Sequence, residues 1–144
     1  MMSIKSFVSI LTVCGLASLA GCSRGGAGVE RSIRTYAVKG KVVFADGKPL
    51  TGGVVHFVPK KGSSDQAVGE IESDGSFQLT TRKLGDGAAP GEYKVYIDPV
   101  SPRMLSDKSV KPVPIPPKFK DEDKSGIVVV IKAEAVNLDP IRLK

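Results

Sequence analysis

A chain of 144 residues with 21 basic and 15 acidic side chains, a formal net charge of +6, is sized for one domain rather than several. Aromatic residues make up 6% of it and tryptophan is absent, so the mild basicity lacks the stacking platforms that nucleic-acid binders set among their cations. A domain near this size buries roughly two thirds of the surface its unfolded chain exposes, enough to fold without a disulfide or a metal.

The chain opens with a short positive stretch ending at Lys5, followed over residues 7–20 by an apolar run without a charge. That is the layout of a secretory signal, and the run is shorter than the ~20 residues that span a bilayer. It ends in Leu19-Ala20-Gly21-Cys22. These four residues resemble the lipobox of bacterial lipoproteins. The resemblance implies that a lipid is attached to the Cys22 thiol and that a peptidase then cuts just before it, with Ala20 and Gly21 as the small residues beside the cut. Palmitate is among the acyl chains that such a cysteine carries. Two alternatives stand beside it: an ordinary signal peptide cut nearby with Cys22 incidental, and an uncleaved anchor. On the lipobox reading residues 1–21 are a cleavable signal peptide, and 123 residues remain with 20 basic and 15 acidic side chains, because Lys5 is the only charge before Cys22. Cys14 goes with the signal and Cys22 is acylated. Disulfides, thiol catalysis and cysteine metal sites therefore drop out. Each buried methylene contributes ~0.8 kcal/mol, so several acyl chains hold such a protein nearly permanently. The expected location is the bacterial cell envelope, lipid-anchored on the periplasmic or outer-membrane face. Ser23 stands where an Asp commonly retains lipoproteins at the inner membrane, which leans towards the outer one.

Residues 22–35 hold Gly25, Gly26 and Gly28 with Arg24, Arg31 and Arg34 and show no apolar periodicity, which predicts a flexible tether reaching roughly 20 Å. From Tyr36 the texture changes to short β-rich runs separated by turn residues. Over 38–44 the alternation sets Val38, Val42 and Phe44 on one face and the lysines on the other, and Asp46-Gly47 closes a tight turn. Residues 52–59 read as the next strand, with Val55 and Phe57 alternating against Val54, His56 and Val58. Residues 67–72 and 76–81 read as a hairpin joined by Ser73-Asp74-Gly75, with Ile71, Phe77 and Leu79 as core candidates. Residues 84–91 are too rich in glycine for a regular element and predict a corner between two sheets. Residues 93–97 alternate again.

Residues 99–126 are far longer than the ~4 to 6 residues of an ordinary connection, and six prolines among them exclude a helix or a central strand. Pro114 to Pro117 fits P-x-x-P and reads as a rigid strap along the sandwich. The continuous β-branched run 127–131 predicts a strand buried on both faces or nearly so, and 138–143 an edge strand because of Pro140. About seven antiparallel strands result, an all-β sandwich.

Together the residues form a family pattern: Val38-x-Gly40-x-Val42, Asp46-Gly47-Lys48-Pro49-Leu50, Gly53-x-Val55-x-Phe57-x-Pro59, Gly69-x-Ile71, Asp74-Gly75-x-Phe77-x-Leu79 and Pro90-Gly91-Glu92-Tyr93-x-Val95. Residues 115–119 and 125–127 look like its late part. Residues 36–144 thus resemble the carboxypeptidase regulatory-like domain, a transthyretin-like (prealbumin-like) Greek-key β-sandwich that recurs in bacterial envelope lipoproteins. The resemblance implies an accessory or binding module and carries over no catalytic residue. The enzymatic branch of the transthyretin fold, hydroxyisourate hydrolase, relies on several histidines and a Tyr-Arg-Gly-Ser tail. This chain has one histidine, and its last four residues are Ile141-Arg142-Leu143-Lys144.

His56 lies mid-strand between Val55 and Phe57, where a triad base would lack room to meet a nucleophile. Its bland reading is a histidine on the covered or outward face of a sheet. Asp121-Glu122-Asp123 offers hard oxygen ligands, but the spacing matches no calcium loop, and a solvated acidic turn is the plainer account. No metal and no cofactor are expected. The expected role is a non-catalytic, lipid-anchored module that holds an envelope protein or polysaccharide, with a structural spacer and a transthyretin-fold hydrolase as alternatives. The candidate contact loop places Arg103, Lys108, Lys111, Lys118 and Lys120 beside Met104 and Leu105.

Overall fold

A computed structural model of the chain describes residues 33–61, 65–100, 106–107 and 112–144. Among them are eight strands: β1 (Val38–Phe44), β2 (Val54–Pro59), β3 (Ala67–Glu70), β4 (Ser76–Gln78), β5 (Gly91–Asp98), β6 (Ile127–Ile131), β7 (Val136–Asn137) and β8 (Ile141–Leu143). A 3-10 turn at Pro117–Lys120 precedes β6. The fold is all-β, in two four-stranded sheets. One places β1 between β4 on one side and β7 and β8 on the other; the second runs β3-β2-β5-β6. The predicted signal peptide, Leu19, Ala20, Gly21, Cys22 and all of the tether but residues 33–35 lie outside the described residues.

Alternation builds the second sheet. Val55 and Phe57 of β2 and Tyr93, Val95 and Ile97 of β5 are fully buried, while His56, Lys94 and Tyr96 between them turn the other way. β2 and β5 pair antiparallel over six residues, from Val54 opposite Asp98 to Pro59 opposite Tyr93. Between the sheets Phe57 packs tilted against Phe77 and Tyr93, with ring centroids 6.0 and 6.1 Å away. The Tyr93 hydroxyl, buried in this core, donates to the Ala89 carbonyl at 2.8 Å. On β1, Gly40 stands opposite Phe77, and a Cβ there would lie 2.5 Å from the tip of the Phe77 ring. Glycine is therefore what lets that ring into the core.

Four expectations are corrected. The sheets are not all antiparallel: β7 and β8 run parallel to β1, with Val38 opposite Val136 and Val42 opposite Ile141. The physical reason is the crossover from β6 in the second sheet, which returns the chain alongside β1 in the same direction. The single late strand is two short ones. Four residues of β1, from Lys39 to Val42, stand opposite five, from Asn137 to Ile141, and Pro140 lies within that one-residue excess. The hairpin after β2 is split: β3 pairs with β2 and β4 with β1, so its two arms belong to different sheets. The bridges Ile71–Phe77 and Val68–Thr80, with the Glu72 N–H donating to the Ser76 carbonyl, still join the arms. Finally, β6 is not buried on both faces. It pairs with β5 alone, and Val128 and Val130 are 49% and 64% exposed.

The predicted corner is present, carrying the chain from β4 in the first sheet to β5 in the second. Asp86 organises it: its carboxylate accepts the backbone N–H groups of Thr81, Arg82 and Lys83 at 2.7, 3.2 and 3.1 Å. The described part of the long loop is packed rather than loose. Ile115 and Phe119 are buried in the core cluster and Val113 packs against it.

Candidate interaction surface

Of the expected contact loop, Arg103, Met104, Leu105, Lys108 and Lys111 lie outside the described residues. Lys118 and Lys120 sit on the 3-10 turn. Pro117 starts that turn with its φ already set, and Phe119 anchors it by burying its ring while the lysines on either side stay in solvent. The Lys118 ammonium lies 4.7 Å from the centroid of the Phe119 ring, a cation–π contact. Lys120 shares a shallow cleft of about 420 Å³ with Tyr96, Asp121, Glu122 and Asp123.

The acidic turn is occupied by its own neighbours. Asp121 Oδ1 accepts the N–H groups of Asp123 and Lys124 at 3.0 and 3.2 Å, and its other oxygen is 3.3 Å from the Lys124 ammonium. The Asp123 N–H foremost holds the Asp121 carboxyl below the usual carboxylate range, as solvation of the charged form by donors requires. Asp123 accepts from Lys94 of β5, tying the turn to the sheet. Among the described residues no group of three His, Cys, Asp or Glu side chains is arranged to hold a metal ion.

Tyr96 links this cleft to His56. The two rings, opposite each other on β5 and β2, stack with centroids 4.5 Å apart and planes 4° from parallel. Gln66 brings its Nε2 to 2.8 Å from His56 Nδ1, so with the amide donating, the ring proton is on Nε2. Burial pushes the His56 pKa down, against the pull of the Asp98 charge. Nothing in this arrangement delivers the imidazole to a nucleophile; His56 is a stacked wall residue on the outward side of the second sheet.

That outward side continues across Lys94 to β6, where Lys94 stands opposite Val128 and Glu92 opposite Val130. Lys60 and Glu92 pair at 2.6 Å along its margin. A belt thus runs from the His56–Tyr96 stack across Lys94 and Glu92 to the exposed valines of β6, with Lys120 of the 3-10 turn beside Tyr96.

A second concave feature was not anticipated from the sequence. Where β3 and β4 part company they leave a cleft of about 510 Å³, lined by Lys39, Glu70, Glu72, Ser76, Gln78 and Thr80 over a floor of Gly40 and Phe77. Leu84 at its rim is 97% exposed. The one sequence signal was an isolated leucine among glycines in the corner. The exposed valines of β6 were missed for a different reason: a continuous apolar run reads as buried whichever face it presents.

A search for relatives finds no matching family model, no curated protein that matches the chain and no matching solved structure.

Proposed function

We propose that this chain is a lipid-anchored, non-enzymatic interaction module of a bacterial cell envelope, a transthyretin-like sandwich of the carboxypeptidase regulatory-like kind. Cys22 carries the acyl chains, and the outward side of the second sheet holds an envelope protein or polymer. The observation that supports this reading is the belt on that sheet. It sets Val128 and Val130 in the open opposite Lys94 and Glu92, with Tyr96 and Lys120 further along the same side. Exposed apolar and aromatic side chains set among charges on an open sheet face are what a macromolecular contact surface uses. Small-molecule chemistry calls instead for a closed pocket of convergent polar groups.

The test is cross-linking on intact cells expressing the tagged full chain, beside Cys22→Ser as the unanchored control. A discrete protein or a wall polymer recovered with the wild type and lost with Cys22→Ser is the expected result. Recovery of nothing from the anchored protein would sink the binding reading. Labelled palmitate should enter the wild type and not Cys22→Ser; equal labelling of both would remove the anchor.

A further inference from the structure

The two sheets each leave one strand edge open on the same flank of the sandwich, and the two edges are built differently. The edge formed by β7 and β8 carries the devices that discourage strand pairing. It is broken into pieces of two and three residues, it holds a one-residue excess with Pro140 within it, and Asp139 and Arg142 flank or occupy it. β6 is not broken up in this way and carries no charge within it. Its five residues, Ile127-Val128-Val129-Val130-Ile131, are unbroken and β-branched, and among the described residues no strand or bridge pairs with the edge turned away from β5.

We infer that the open edge of β6 pairs antiparallel with β6 of a second copy of this chain, with Val129 of each copy at the two-fold axis. The strand itself specifies this occupant, because Ile-Val-Val-Val-Ile reads the same in both directions. In that register Ile127 of one copy meets Ile131 of the other, Val128 meets Val130, and Val129 meets Val129. Every cross-strand pair is apolar and β-branched, the kind that stabilises neighbouring strands. The flanks agree. Lys132 of each copy falls beside Gly126 of the other, and Lys124 lies towards Glu134, so that opposite charges approach at both ends. A parallel arrangement would set Lys132 against Lys132 and Lys124 against Lys124. The two-fold pairing is isologous and closes on itself, so it yields a dimer and not a fibre. It joins the two four-stranded second sheets into one, which lengthens the belt around Tyr96 into a continuous surface.

The pairing stands apart from the anchor, whose fate is read by palmitate labelling. Its test uses full chains carrying two different C-terminal tags, co-expressed, cross-linked on intact cells and captured through one tag. Two substitutions probe the register: Val128→Glu, beside Lys94, and Val130→Lys, beside Glu92, so that each new charge has an opposite neighbour within its own sheet. Both positions are exposed, so the monomer folds. Wild-type chains should be recovered as a pair. Recovery should fall severalfold when both copies carry Val128→Glu, or both carry Val130→Lys, because two apolar, β-branched cross-strand pairs are then lost at the two-fold interface. Co-expressing one Val128→Glu copy with one Val130→Lys copy sets the two charges opposite each other and should restore recovery. The inference is overturned if wild-type copies are not recovered together, or if the single substitutions leave recovery unchanged. It is equally overturned if the mixed pair is recovered no better than the single variants, or if β6 cross-links to a different protein instead of a second copy.

Discussion

His56 shows how one side chain ties the outward surface to pH. Burial holds its folded pKa below the 6.5 of a free imidazole, so the folded protein prefers the neutral ring that accepts from Gln66. As pH falls through 6.5 the unfolded chain takes up the proton first, and stability declines until the folded pKa is reached. The midpoint of urea unfolding should therefore drop across that window, and His56→Phe, which keeps the stack on Tyr96, should flatten it. A wild-type midpoint unchanged below pH 6.5 would refute the assignment. The carboxylates act in a lower window. Hydrogen bonds from the Ser76 hydroxyl and then its N–H, with Lys41 nearby, pull Asp74 from 3.8 to about 2. The Lys48 N–H lowers Asp46. For Asp86, burial acts to raise the pKa, and the N–H groups of Thr81, Lys83 and Arg82 outweigh it. A depressed carboxyl contributes stability that is complete above the unfolded value and vanishes as pH falls through the folded one. Acid unfolding curves should thus hold their carboxylate contribution above pH 3.8 and lose it towards about 2. Asp74→Asn should narrow that loss.

The loop before β6 is held by a single aromatic anchor, and its elements can be weighed against one another. Phe119 is 3% exposed and reaches the core from a 3-10 turn. Phe119→Ala should lower unfolding free energy by about 3 to 5 kcal/mol, the range for emptying a buried phenylalanine site. Lys118→Ala removes only the cation over the ring and should cost about 0.5 to 1 kcal/mol. Equal effects in urea titrations would mean that the turn is not anchored by its ring. The strap was legible in the prolines, but Phe119 as its anchor was not, since a lone aromatic between two lysines gives no period. β1, β2 and β5 were legible because one face of each is dry and the other wet, which imposes alternation on the sequence. β6 was misread because its outward valines face solvent, and the rule that apolar means inside runs in one direction only. The split of β3 from β4 was equally invisible: turn chemistry at Ser73-Asp74-Gly75 fixes a reversal of the chain, not whether both arms stay in one sheet.

At the scale of the whole molecule, the two-sheet all-β fold could be read from spacing alone, whereas the mixed first sheet could not. Its parallel pairings join residues about a hundred positions apart, and no local pattern encodes such a partner. The outward belt escaped the sequence for the same reason, since its parts come from β2, β5, β6 and the 3-10 turn. Ending the chain after Pro140 would remove β8, whose Ile141 and Leu143 are 7% and 3% exposed and cover the far half of β1. Two buried aliphatic side chains are worth roughly 3 to 6 kcal/mol together, a large share of the stability of a domain this size. Circular dichroism should show a substantially lowered melting temperature for the shortened chain; an unchanged one would mean that β8 is ornamental. The same pairing has a mechanical consequence. β1 and β8 lie side by side and point the same way, yet the polypeptide enters one and leaves the other at opposite ends. A pull between residues 33 and 144 therefore drags these strands past each other lengthwise. Their hydrogen bonds must then fail together, not one after another like a zip, so tension along the chain loads this strand pair in shear.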